Sequence, residues 1–160
     1  MVLSKNLSAF LAMIRHSEGT DKAPDPYRVV FGYGHTIVDL SNHPACTGEW
    51  DGVSIAFLGP QYAGEISTAA GAYQINKPVW INLKRGLLLP DFTGPSQDAA
   101  AIELIREKGA LDLVNGGEAA AAINLCHPVW ASLPGSTAGQ PTASFADLMT
   151  AYTNAGGGFA

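Results

Sequence analysis

Leu7-Ser8-Ala9-Phe10-Leu11-Ala12-Met13-Ile14-Arg15-His16-Ser17-Glu18-Gly19-Thr20-Asp21 is the stretch on which the reading of this chain turns. Leu7, Phe10, Leu11 and Ile14 stand at i, i+3, i+4 and i+7, one face of an α-helix, and Glu18 continues that face one i+4 step further. The spacing predicts a helix from about Lys5 to Ser17, stopped by Gly19, with Glu18 in the last turn. Desolvation on the buried face and the partial negative charge of a helix C-terminus both disfavour a carboxylate there. Both push toward a carboxyl that keeps its proton, which is what a general acid needs near neutral pH. The plainer alternative is a carboxylate snorkelling to solvent from a frayed helix end.

Outward from this helix, the chain alternates with period two from Tyr27 to Leu40, where Tyr27, Val29, Phe31 and Tyr33 interleave with Arg28, Val30, Gly32 and Gly34. With Thr36-Ile37-Val38 beyond a glycine-rich turn, this predicts a β-hairpin, and Val53 to Phe57 a third short strand. The remainder reads as helical. Pro78 opens a helix holding Val79, Trp80 and Leu83 that stops near Gly86. Ser96 caps a helix from Gln97 to Lys108, ended by Gly109. Leu111 to Val114 makes a helical turn, Glu118 to Leu125 an alanine-rich helix, and Phe145, Leu148, Met149 and Tyr152 a last amphipathic helix before Gly156-Gly157-Gly158. Residues 127–141 read as a loop.

Composition limits what such a chain can do. At 160 residues it suits one domain, with 47% hydrophobic and 14% charged residues pointing to a packed core. The formal net charge of −5, without a Lys/Arg cluster, argues against a nucleic-acid partner and against electrostatic docking on an anionic membrane. No apolar run reaches the roughly 18 residues a membrane span needs, and the N-terminus only weakly mimics a signal peptide. Cys46 and Cys126 neither require nor exclude a disulfide, two ordinary buried thiols being the expected reading. His16, His35, His43 and His127 lack metal-ligand spacing, and His43 with Cys46 offers too few ligands for zinc, so neither metal nor cofactor is expected.

Among residues able to carry chemistry, Tyr73-Gln74 follows Glu18. Gly71 and its small neighbours would let backbone approach a ligand, with Tyr73 offering a stacking face and Gln74 a two-way hydrogen-bonding amide, unless the pair simply packs at a helix start. Trp80 is expected in the core. Trp50 and Trp130 fall in predicted loops, where a ring can pack against the flat C–H face of a sugar or pin its loop to the core. Asp21, Asp25 and Asp39 are candidates for a second carboxylate, each also suited to a turn or strand end. No Gly-x-Ser-x-Gly elbow, P-loop or dinucleotide fingerprint is present.

Taken together, these residues resemble the bacteriophage lambda endolysin family, phage lytic transglycosylases that cut bacterial cell-wall glycan. The likeness runs through Phe10-Leu11-Ala12-Met13 into Ser17-Glu18-Gly19-Thr20-Asp21, Asp39-x-Ser41-x-His43-Pro44, and Ser67-Thr68 with Gly71-x-Tyr73-Gln74. It continues in Ser96-Gln97-Asp98-Ala99, Arg106 to Leu111, Trp130-Ala131-Ser132-Leu133-Pro134-Gly135, and Gly139-Gln140. The resemblance implies an α+β, lysozyme-like fold, mainly helical with a small antiparallel sheet lobe and a substrate cleft between lobes. It places the family's acid at Glu18 and the cleft loops at residues 46–60 and 127–140, each bearing one of the loop tryptophans. Tyr33-Gly34-His35 and Glu49-Trp50-Asp51 depart from the family pattern.

The T-even phage lysozymes share an early helix-end Glu but place an Asp nine residues on and a Thr six beyond, where this chain has Tyr27 and Tyr33. The implied activity is therefore lytic transglycosylation of peptidoglycan by Glu18, giving 1,6-anhydro-N-acetylmuramic acid. A hydrolytic muramidase using Asp21 or Asp39, or an inactive wall-binding protein, are the alternatives. The expected setting is a monomer made in the host cytoplasm, released to the wall by a separate holin, without stable membrane insertion.

Overall fold

A computed structural model describes residues 2–137 and 141–160. Gly139 and Gln140, named above for the resemblance, lie outside them. The chain divides into two compact units, one of residues 1–21 and 101–160, the other of residues 22–100.

The first unit is helical. Helix α1 spans Lys5–Glu18, opened by Ser4, whose Oγ accepts from the Leu7 N–H, and closed by Gly19 at φ 75°, whose N–H reaches the carbonyls of Arg15 and His16. Glycine is suited to that left-handed position because it has no Cβ to clash. Phe10, Leu11, Met13 and Ile14 are almost wholly buried. Helix α4 (Gly94–Glu107) enters this unit from the other one, followed by α5 (Leu111–Gly116), α6 (Ala119–Cys126) and α7 (Phe145–Asn154). α1 packs on α5 and α7, and α5 on α6. Ile105, Ile123, Leu133, Leu148 and Tyr152 fill the core of the unit.

The second unit holds α2 (Pro44–Thr47), β1 (Val53–Ser54), β2 (Ile66–Ser67) and α3 (Lys77–Leu87). β1 and β2 pair antiparallel, Val53 opposite Ser67. Its core centres on Trp80, whose ring meets Phe92 edge-on at 4.7 Å and whose Nε1 donates to Asn42 Oδ1 at 2.9 Å. His43 is buried too, capping α2 through Nδ1 while Nε2 meets the Ile75 carbonyl, and burial pushes its pKa down to about 4.

The hairpin expected from Tyr27 to Leu40 is not formed. Asp25 caps a 3₁₀ turn at Pro26–Arg28, and Gly32 at φ 79° with Tyr33 at φ 58° breaks the extended chain, leaving an isolated Val29–Thr36 bridge. Of the third strand expected from Val53 to Phe57 only Val53–Ser54 forms, as β1, because the chain turns into a 3₁₀ helix at Ala56–Leu58. The partner of β1, Ile66–Ser67, carries no alternation long enough to signal it. Ser96 does not cap α4, which begins at Gly94; its Oγ donates to Asp91 Oδ1 at 2.8 Å. Helix α3 runs past Gly86 and ends where Leu88 turns to φ 54°. Both cysteines are free: Cys126 is buried as expected, whereas Cys46 is only half-buried.

Candidate active site

Glu18 is the last residue of α1, held where the buried face of that helix ends. Part of the residue reaches solvent, yet its carboxyl is closely surrounded by protein, and burial pushes its pKa from the ordinary 4.5 up to about 7. Ser132 works against this shift: its Oγ donates to Glu18 Oε1 at 2.7 Å, favouring the charged form. Ser17, one residue before the acid, donates from Oγ to Ser132 Oγ, also at 2.7 Å.

The segment bearing Ser132 is firmly held. Trp130 is 2% exposed and Leu133 fully buried, and backbone bonds run from Trp130 N–H to Cys126 O and from Leu133 N–H to Trp130 O. Trp130 therefore takes the anchoring role rather than the sugar-facing one, since a ring with no exposed face cannot stack on a ligand. Ser17 and Ser132 lay within the quoted motifs, but their pairing joins positions 115 apart in sequence, and no local pattern marks it.

The other candidates belong to the second unit. The Tyr73 ring is 1% exposed, and its hydroxyl donates to Asp98 Oδ1 at 2.5 Å, beside the Tyr27 hydroxyl at 2.9 Å. The stacking face expected of Tyr73 is thus turned into the core. Gly71, at φ 79°, does permit a close approach, but by Gln97 and Phe92, whose side chains occupy the space a Cβ would need. Gln97 Oε1 accepts from Ala72 N–H at 2.8 Å, and its Nε2 donates to the carbonyls of Tyr27 and Phe92. Gln74 is half-buried at φ 49°, a left-handed conformation that costs a non-glycine residue about 1 kcal/mol or more. Its Nε2 donates to Gly71 O at 2.9 Å. Trp50 is half-buried on the loop between α2 and β1.

The three aspartates are engaged locally. Asp21 Oδ2 lies 2.7 Å from His16 Nδ1, Asp25 caps Tyr27 and meets Arg28 Nε at 3.2 Å, and Asp39 Oδ1 accepts from Ser41 N–H at 2.8 Å. Hydrogen bonds from the side chain and backbone of Ser41 hold Asp39 below the usual carboxylate range, the opposite of Glu18. Among the described residues, no cluster of three or more His, Cys, Asp or Glu side chains could hold a metal ion, and no helix is long and apolar enough to cross a membrane.

A family model described as Endolysin matches residues 8–159. The endolysin of Escherichia phage P2 is 40% identical over 157 residues, covering 96% of this chain and 94% of the relative. That of Escherichia phage lambda is 35% identical over 160 residues, covering 97% and 94%. Bacteriophage lambda lysozyme complexed with a chitohexasaccharide matches with a TM-score of 0.86 at 34% identity, over 100% of this chain and 99% of that one. A second lambda lysozyme structure matches at 0.81 and 32%, with the same coverage. The lysozyme-like fold implied by the sequence is the fold observed. The chain belongs to the endolysin family, as a lysozyme-like phage endolysin that acts on the cell wall.

Proposed function

We propose that this endolysin is a lytic transglycosylase, cleaving the β-1,4 bond between N-acetylmuramic acid and N-acetylglucosamine with Glu18 as its acid and base. The observation that carries the reading is a single carboxyl held near a pKa of about 7, while Asp21, Asp25 and Asp39 are each tied into local hydrogen bonds. Hydrolysis ordinarily calls for two carboxyl groups flanking the bond. Here Glu18 protonates the glycosidic oxygen as the C1–O bond of the muramic acid breaks, with the substrate's N-acetyl oxygen assisting at C1. The 6-hydroxyl oxygen then bonds to C1, and its proton passes to the Glu18 carboxylate. No water is consumed, and the acid is restored in its starting state.

The chitohexasaccharide bound by lambda lysozyme supports a glycan strand as the substrate. Gln74 and Trp50, the half-buried members of the candidate set, are assigned to substrate binding, while Tyr73 and Trp130 are each buried in the core of their own unit. The setting that suits this activity is synthesis in the host cytoplasm followed by holin-dependent release to the wall, as a monomer without cofactor.

Mass spectrometry of digested peptidoglycan tests the chemistry. Products ending in 1,6-anhydro-muramic acid are expected, and reducing ends heavier by one water would make the enzyme a muramidase. Lysis should decline as pH rises through about 7, because only the protonated Glu18 can act as the acid. Glu18→Gln should remove activity without loss of folding; an active Glu18→Gln protein would take Glu18 out of the reaction.

A further inference from the structure

The two hydroxyls beside Glu18 form a chain with one direction of donation. Ser17 Oγ donates to Ser132 Oγ, and Ser132 Oγ donates to Glu18 Oε1, each across 2.7 Å. A hydroxyl has one hydrogen to give, so the bond arriving from Ser17 leaves that of Ser132 committed to the carboxyl. The parts are fixed in place from both sides. Ser17 sits in the last turn of α1, which Gly19 closes, while Ser132 lies between the buried Trp130 and Leu133.

We propose that Ser17 and Ser132 are positioning residues that decide which oxygen of Glu18 carries the proton, Oε1 accepting from Ser132 and Oε2 holding the proton for delivery. The inference rests on the reading of Glu18 as the acid. A carboxyl free to carry its proton on either oxygen would present the wrong one to the substrate part of the time. Once Oε2 has given up its proton, the donation from Ser132 stabilises the carboxylate that must wait for the 6-hydroxyl proton.

The charged groups near this end of α1 are otherwise occupied. His16 hydrogen-bonds Asp21 and, on α7, Asp147, and neither these three nor Arg15 is among the causes of the Glu18 shift, which are burial and then Ser132. Removing the Ser132 hydroxyl therefore takes away the hydrogen bond that opposes burial.

The test compares Ser132→Ala, Ser132→Thr, Ser17→Ala and Glu18→Gln in the full chain. The Glu18 carboxyl is titrated by carbon-13 NMR, its signal assigned by its absence in Glu18→Gln, and initial lysis rates on purified peptidoglycan are followed against pH. Ser132→Ala is expected to raise the Glu18 titration by about one pH unit and lower the peak rate about tenfold. Ser132→Thr should restore both, and Ser17→Ala should move both the same way by less. A purely structural role would predict the reverse shift, because a loosened segment admits water and lets the Glu18 pKa fall. A Ser132→Ala titration at or below the wild-type value, or a wild-type rate, overturns the proposal. Should Ser132→Ala fail to fold, Ser17→Ala decides alone by the same criteria. With Glu18→Gln inactive, such a result removes the relay only; an active Glu18→Gln removes the acid itself.

Discussion

Nε2 of His16, in the last turn of α1, lies 2.9 Å from Oδ2 of Asp147 near the start of α7, while Nδ1 of the same ring lies 2.7 Å from Asp21 Oδ2. Two carboxylate partners ask for two N–H donors, which an imidazole has only when protonated. The hydrogen bond to Asp21, then that to Asp147, accordingly raise the His16 pKa above its ordinary 6.5. The folded value exceeds the unfolded one, so this stabilisation is fully present below 6.5 and is lost as pH rises through the raised value. The side chains of His16, Asp21 and Asp147 are 30%, 34% and 57% exposed, so solvent screening limits the effect. His16→Ala should cost about 1 kcal/mol at about pH 5.5 and distinctly less at about pH 9, as read by urea unfolding. Equal losses at both values would show that the ring packs rather than pairs.

Glu18 follows the same sign for a different cause, burial rather than pairing with carboxylates. Its folded pKa of about 7 stands above the ordinary 4.5, so the folded protein binds the extra proton and loses stability as pH rises between those values. Glu18→Gln, which cannot ionise, should be more stable than wild type above about pH 7, by on the order of 1–3 kcal/mol. Near pH 4.5 and below the difference should shrink, leaving only the change of one hydrogen-bonding group for another. Denaturant titrations across this range give the comparison, and a wild-type protein as stable as the variant at high pH would contradict the burial of the acid.

Gly71 offers a test of packing. Its φ of 79° and the side chains of Gln97 and Phe92 leave no space for a methyl group. Gly71→Ala should destabilise the protein by roughly 2–4 kcal/mol. Pairing it with Gln97→Ala should cost less than the sum of the two single changes, since removing the amide opens the space. Additive losses in a double-mutant cycle would place the strain in the backbone alone.

The two loop tryptophans should separate in their effects. Trp130 is 2% exposed, and Trp130→Ala should lower stability by about 3–5 kcal/mol. Trp50 is half-buried, and Trp50→Ala should instead raise KM for peptidoglycan while costing less stability. Thermal unfolding and lysis kinetics on the same two proteins check both, and a Trp50→Ala protein with unchanged KM would remove Trp50 from substrate binding.

Periodicity made α1 legible because a helix long enough for the pattern to recur also carries its own stop, Gly19, and its own exception, Glu18. Alternation misled between Tyr27 and Leu40 because Pro26 and Gly32 favour turns that override a strand pattern of so few residues. Tyr73 and Gln97 show the same limit at a finer scale. Residue type suggested that Tyr73 faces a ligand, yet its hydroxyl goes to Asp98, and Gln97 rather than a substrate occupies the space beside Gly71. Ser132 reaches Glu18 from 114 positions away, a partnership set by tertiary packing alone.

Cys126 is sealed in the core, where burial pushes its thiol up to about 12, while Cys46 is partly open to solvent. A thiol-specific dye needs the ionised sulfur, so Cys126 stays silent toward such reagents as long as the fold is intact. One native attachment point is left, at Cys46, and a fluorophore placed there can report the arrival of the protein on isolated cell walls without an introduced cysteine.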